Sequence, residues 1–220
     1  RSASIEIERL VYGQMRPHSS ASSTFPFDAR EENAFSPKAA LAYKIDNDWT
    51  MKASTGRALR MPTVSELYQG SVSLNTIVNN DPNLKPEKSW TSEWSIERAL
   101  DSGMLRATIF HERTQDALYS QTNVSVTPNV TNIQNVDDIH TTGLELAYIA
   151  NDVFVRGLDL TGSLTYADSK IVKNDKFPAS VGMWQPRVPN WRANFVASYK
   201  VNDHLAATFG ARYSGRQYGT

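Results

Sequence analysis

The chain has 220 residues, 23 basic and 23 acidic side chains, 40% hydrophobic residues and no cysteine. Zero net charge with scattered Lys and Arg leaves no electrostatic footprint for nucleic acid, and the lack of thiols excludes disulfide frameworks, thiolate zinc sites and cysteine nucleophiles. No run of about 18 apolar residues encodes a membrane helix, although a strand crossing lipid needs only alternate apolar positions.

The chain opens at Arg1-Ser2-Ala3-Ser4 with neither an initiator Met nor a signal peptide, which predicts a mature segment or a fragment. Ser2 to Tyr12 reads as a first strand, less clean than the others because Arg9 shares a face with Ile5 and Ile7. After a polar link from Gly13 to Asn33, Phe35-Ser36-Pro37-Lys38 opens a strand in which Ala39, Leu41, Tyr43 and Ile45 oppose Lys38, Ala40, Ala42 and Lys44. Asp46-Asn47-Asp48 is a hairpin turn, since the Gly and distal Glu of a calcium loop are missing. Trp49, Met51, Ala53 and Thr55 then oppose Thr50, Lys52, Ser54 and Gly56, and a long polar loop runs from Leu59 to Lys88.

Trp90, Trp94 and Ile96 oppose Thr91, Glu93, Ser95 and Glu97 as far as the turn Asp101-Ser102-Gly103. Met104 to Tyr119 follows with Phe110 on its polar face, then a second long link from Gln121 to Asp138. Leu144, Leu146 and Tyr148 oppose Gly143, Glu145 and Ala147 up to a short link beginning at Asn151-Asp152. The cleanest alternation is Leu158 to Tyr166, whose even positions are apolar or aromatic except Gly162. A third long link, Ile171 to Arg187, leads to two last strands, Trp191 to Lys200 and His204 to Ser214, joined at Asn202-Asp203.

About nine strands result, several longer than the roughly 5–6 residues usual in soluble sheets. A strand of about 12 residues at about 3.3 Å each, tilted by about 45°, rises through the hydrocarbon thickness of a membrane. Aromatic residues near strand ends, such as Tyr43 with Trp49 and Trp191 with Tyr199, suit membrane interfaces. Short turns alternating with long loops is the layout of an outer-membrane barrel.

Two segments narrow this to a family. Gly56-Arg57-Ala58-Leu59-Arg60-Met61-Pro62-Thr63-Val64-Ser65-Glu66-Leu67-Tyr68, followed by Asn83-Leu84-Lys85-Pro86-Glu87, resembles the signature of TonB-dependent outer-membrane receptors. Met61 stands before Pro62 and the Ala comes earlier, at Ala58. Taken alone, Thr63 and Ser65 ahead of Glu66 also read as a helix start. Ser36-Pro37-Lys38, Thr142-Gly143-Leu144-Glu145, Pro186 to Trp191 and Arg212 to Tyr218 extend the resemblance from about Phe35 to Thr220.

The resemblance implies an all-β fold, an antiparallel meander forming part of a transmembrane β-barrel, with about nine of twenty-two strands. Residues 1–220 would be part of the barrel domain, with the plug, its TonB-contacting box and the final strand outside this chain. It implies active import of a bulky nutrient, a ferric siderophore first, with cobalamin, haem or carbohydrate as the other cargoes. Its partners would be the ligand, TonB acting through the plug, and outer-membrane lipid, with no cofactor. A passive barrel, an outer-membrane enzyme and a soluble β-sandwich adhesin are the rival readings, the passive barrel lacking the two signature segments.

No His-Glu-x-x-His, Gly-x-Ser-x-Gly or phosphate-binding Gly-rich loop occurs, and the four His residues have no metal-ligand spacing. The loop from Arg57 to Lys88 is the first candidate ligand surface, because Arg57, Arg60 and Tyr68 combine cations with an aromatic ring suited to an anionic iron chelate. The alternative is that Arg57 and Arg60 face the lumen and pair with Glu93 or Glu97. Trp184 and Arg187 form a second candidate ahead of the last strands.

Overall fold

The computed structural model describes residues 2–12, 30–73 and 75–219, with side chains from residue 30 onward. Nine strands form one antiparallel meander: β1 (Ser2–Tyr12), β2 (Arg30–Lys44), β3 (Trp49–Arg60), β6 (Glu87–Leu100), β7 (Gly103–Asn123), β8 (Asn129–Ala150), β9 (Leu158–Lys173), β10 (Trp191–Lys200) and β11 (Ala206–Ser214). The link between β3 and β6 supplies the missing numbers: helix α1 (Val64–Tyr68) and the short strands β4 (Ser71–Ser73) and β5 (Thr76–Asn79). Each of the nine pairs with its neighbours in chain order, and the sheet is an open wall, not a closed barrel. Of the first expected polar link, residues 13–29 lie outside the described residues, and Arg30 to Asn33 already belong to β2.

The two faces invert the burial of a soluble sheet. Trp94 pairs with Ile109 and Ile109 with Leu144, and these side chains are 44%, 52% and 42% exposed. On the opposite rows Ser95, Glu97, Thr114 and Thr165 are buried. A sheet whose polar side chains shield one another while its apolar rows face out is satisfied only by lipid on the outside and water within. Leu158, Leu160, Leu164 and Tyr166 lie on the outward rows, and Asp159, Thr161, Ser163 and Thr165 on the inward ones, as the alternation predicts. Glu97 on the inward wall is held by Lys52 at 2.7 Å and Arg106 at 2.7 Å.

The four turns between β2 and β3, β6 and β7, β8 and β9, and β10 and β11 are short and lie at one end. In the first, Asp46 Oδ1 accepts the N–H groups of Asp48 and Trp49 at 2.8 and 2.7 Å, a side-chain turn that needs no ion.

The other end departs from expectation in length and contents. β7 and β8 continue pairing to Asn123 and Val130, so the polar stretch expected as a loop from Gln121 to Asp138 is mostly a hairpin standing above the apolar rows. Asp116, at φ 54, and a register shift at Asp138/Ile139 mark where that hairpin leaves the membrane wall. Ala117 and Val136 there join Ile139, Ile171 and Tyr119 in one small hydrophobic cluster.

The β3–β6 link is ordered by its own chemistry. Thr63 caps α1 by accepting the Glu66 N–H while the Glu66 carboxylate accepts the Thr63 N–H, so the signature segment is a helix start as well. β5 then lies parallel to the upper part of β8, and the Arg30 guanidinium donates to the carbonyls of Pro82 and Leu84 at 3.1 and 2.6 Å. Leu67 and Leu84 are wholly buried beneath this link.

Candidate functional site

At the long-loop end the inner face of the wall becomes a concave rim. After β9, residues 182–185 run back beside it: Gly182 N–H donates to Ile171 O at 2.8 Å, Ile171 N–H to Met183 O at 3.0 Å and Gln185 N–H to Ser169 O at 2.9 Å. Arg187, held at φ 63, donates its N–H to Tyr218 O at 3.0 Å and so ties the last described segment to the same rim. Between these strips and the β7–β8 hairpin lies a cavity of about 310 Å³, lined among others by Tyr119, Gln121, Phe177, Met183, Trp184 and Tyr218.

The polar groups of the rim converge on Tyr119. Burial pushes its phenol up to about 12, the Gln185 side chain and the Arg187 charge oppose that shift, and the Glu87 charge adds to it. Glu87 sits opposite Arg60 in the β3–β6 register and accepts the Leu118 N–H at 2.8 Å. One carboxylate thus connects the Arg60 side of the rim to the side carrying Tyr119, Gln185 and Arg187. A neutral phenol beside a guanidinium and a carboxamide offers hydrogen-bond donors and an aromatic face at the rim.

The expected site residues divide. Trp184 and Arg187 lie at the rim: Trp184 lines the cavity and packs under Lys170 Nζ at 4.7 Å, while Arg187 is exposed beside Tyr119. Arg60 is on the inward row and pairs with Glu66 at 2.6 Å, and Tyr68 is half-buried at the end of α1. Arg57 is corrected to the outward row, where it faces Trp90 across the strands and donates to Phe35 O at 3.5 Å. Neither arginine pairs with Glu97, which Lys52 and Arg106 already hold, while Glu93 accepts from Ser54. Tyr119 and Gln185 were not singled out as site residues, Tyr119 standing only as the end of an irregular strand, and Glu87 was quoted only as the last residue of the Asn83 to Glu87 signature segment.

The Arg60–Glu66–Thr63 group gives a pH prediction. Burial raises the Glu66 carboxyl, but the Thr63 N–H, the Arg60 guanidinium and the Thr63 hydroxyl together outweigh it and leave the group below its ordinary value of 4.5. A depressed carboxyl stabilises the folded loop fully above that ordinary value and loses its contribution as pH falls through the lower folded value. Amide exchange over Thr63 to Gln69, corrected for intrinsic rates, is expected to show protection at neutral pH that fades below pH 4.5, and Glu66→Gln should abolish that dependence. Equal pH dependence in wild type and variant would remove Glu66 from this role.

Comparison with known proteins follows the same geometry. The family model described as TonB dependent receptor-like, beta-barrel matches residues 11–220. The chain is 26% identical over 224 aligned residues to the iron-regulated outer membrane virulence protein of Vibrio cholerae serotype O1, covering 95% of this chain and 32% of that protein. The ferric enterobactin receptor PfeA of Pseudomonas aeruginosa superposes with a TM-score of 0.61 at 19% identity, over 84% of this chain and 28% of PfeA. The copper transporter OprC superposes with a TM-score of 0.63 at 21% identity, over 85% and 27% of the two chains. At these identities the two structures are similar in fold, and the chain spans about a third of the length of the curated relative it matches.

Proposed function

The chain belongs to the TonB-dependent receptor β-barrel family and is wall of an outer-membrane barrel; from that membership we propose that its parent protein imports a bulky iron chelate, a ferric siderophore, across the outer membrane. The observation that carries this reading is the rim cavity of about 310 Å³, lined by Tyr119, Trp184 and Tyr218, with the Arg187 charge acting on Tyr119. Aromatic faces and a cation suit a chelate whose ligand arms are planar and whose complex is anionic. The iron-regulated relative, matched over 95% of this chain, supports the same reading. Arg60 and Tyr68 extend the surface along the β3–β6 link, whereas Arg57, on the outward row, does not contribute.

In this reading the barrel does no covalent chemistry. The inward wall of Lys52, Glu97 and Arg106 stays hydrated and faces the plug, through which TonB supplies the energy for release.

The test uses the full-length receptor and tryptophan fluorescence titration with ferric catecholate and ferric hydroxamate chelates, haem and cobalamin. Trp184→Ala with Arg187→Ala is expected to weaken the preferred iron chelate about 10- to 100-fold, the loss of one charged hydrogen bond and one aromatic contact. Heat-modifiable gel mobility should be unchanged. Saturable binding of haem or cobalamin alone would replace the siderophore with that nutrient.

A further inference from the structure

The β7–β8 hairpin stands above the wall beyond the ladders that join the wall strands. β6 pairs with β7 only up to Lys88 opposite Gln115, and β8 pairs with β9 only up to Asp138 opposite Lys173. Above those rungs the hairpin supplies Tyr119, Gln121 and Val136 to the rim cavity, while residues after β9 supply Phe177, Met183 and Trp184. The width of the cavity is therefore set by how the hairpin leans. Packing of Ala117, Val136 and Tyr119 on Ile139 and Ile171 holds its foot, but apolar contact has no direction, and the chain turns at that foot, at Asp116 with φ 54.

Directional bonds come from the signature segment. Asn135 of β8 meets Lys85 as one strand residue meets another: its Oδ1 accepts the Lys85 N–H at 2.8 Å and its Nδ2 donates to the Lys85 carbonyl at 2.9 Å. Nδ2 also donates to the Asp116 carbonyl at 2.7 Å, so one carboxamide closes the bulge and docks the segment. Asp in its place would set a carboxylate against two carbonyl oxygens, and Leu would release all three bonds. Leu118, opposite Asn135, donates its N–H to Glu87 at 2.8 Å on the edge that β6 no longer covers. The Asp116 carboxylate lies 3.5 Å from Lys88 Nζ and 3.9 Å from Lys85 Nζ. At its other end the segment is tied to β2 through Arg30, which donates to the carbonyls of Pro82 and Leu84. Residues 82–88 thus run as a strap from β2 to the hairpin, with the Leu84 side chain wholly buried.

We propose that Asn135 is a positioning residue for ligand binding: through the strap it holds the hairpin at the angle that keeps the rim cavity formed before any guest arrives. The role rests on the reading of that rim as the ligand surface, whereas the pose of the hairpin belongs to the empty receptor and is measured without ligand. Releasing the carboxamide lets the hairpin pivot at Asp116. Apparent affinity then falls in proportion to the fraction of receptors that keep the formed cavity, with no ligand contact removed.

The test uses full-length receptor in nanodiscs, spin-labelled at Ser125→Cys near the hairpin tip and at Ala179→Cys beyond β9. Pulsed electron paramagnetic resonance reads the distance distribution between the labels, without ligand and then with a saturating ferric catecholate chelate. Wild type is expected to give a narrow ligand-free distribution. Asn135→Leu should broaden it, return to the wild-type distribution at saturation, and bind the chelate about tenfold more weakly, with heat-modifiable mobility unchanged. Lys85→Ala keeps the main-chain groups that Asn135 holds and removes only a largely exposed side chain, so it should behave as wild type. Should Asn135→Leu assemble poorly, the smaller and polar Asn135→Ser carries the same comparison. Equal ligand-free widths in wild type and the Asn135 variants, equal broadening by Lys85→Ala, or broadening with unchanged affinity would each overturn the proposal. Failure of wild type to bind the chelate would remove the siderophore reading alone, and the ligand-free widths would then decide whether Asn135 holds the hairpin.

Discussion

Replacing Leu160 by Arg in the complete receptor is expected to impair barrel assembly severely, while Thr161→Arg, one residue along, should assemble as wild type. Leu160 lies on the outward row between Ala150 and Ala197, two residues from the middle of the apolar band that runs from Leu158 to Tyr166. A cationic side chain on the lipid face costs about 2–4 kcal/mol near the midplane and less toward the interfaces, and the lipid contact of the leucine is lost as well. Thr161 lies on the inward row between Ile149 and Val196, where the apolar stem of an arginine can lie along those side chains and its head reaches lumen water. Heat-modifiable mobility and folded yield in outer-membrane fractions measure both. Equal behaviour of the two variants would contradict the facing on which every assignment of lumen and lipid rests.

That facing was legible because lipid and water impose a period of two on each strand within the membrane. The nine strands, their order and their short turns follow from it, and so does Phe110 turning to the inward face. Arg57 was also within reach of the same rule: Trp49, Met51, Ala53 and Thr55 share its parity, and the register keeps it among them. Weighing it as a lumen or ligand residue gave more weight to its charge than to its position.

Above the membrane the rule has nothing to act on. Residues 121–123 and 129–138 are strand, yet both faces meet water or other loops, so no alternation marks them and their Asn, Thr and Asp content reads as loop. The parallel pairing of β5 with β8 joins segments more than fifty residues apart, which local pattern cannot register. Tyr119 and Gln185 escaped for the same reason, since their meeting depends on residues 182–187 folding back along β9. The lower half of the molecule is thus written in local periodicity, and the rim that would choose a ligand is written in long-range contacts.

One signature residue connects the two halves and carries the second large effect. Gly143 stands on the inward row of β8 opposite Phe110 of β7 and Ala167 of β9. A Cβ at this position would lie 2.2 Å from Phe110 Cζ and 2.4 Å from the Tyr166 carbonyl oxygen. The aromatic ring therefore lies over the glycine, covering backbone that has no side chain of its own, a device that strengthens an otherwise weak strand position. Gly143→Val is expected to cost about 3 kcal/mol or more, because both a packed ring and a main-chain oxygen must move. It should reduce folded receptor more than any substitution of similar size on the exposed outward row. Phe110→Ala alone should assemble, since it removes the ring without creating a clash. Combining Phe110→Ala with Gly143→Ala should recover only part of the loss seen for Gly143→Ala, since the Tyr166 carbonyl stays in place. Folded fraction by heat-modifiable mobility across these variants decides the matter: full recovery would assign the strain to the ring alone, and wild-type assembly of Gly143→Val would show that no close approach constrains this glycine.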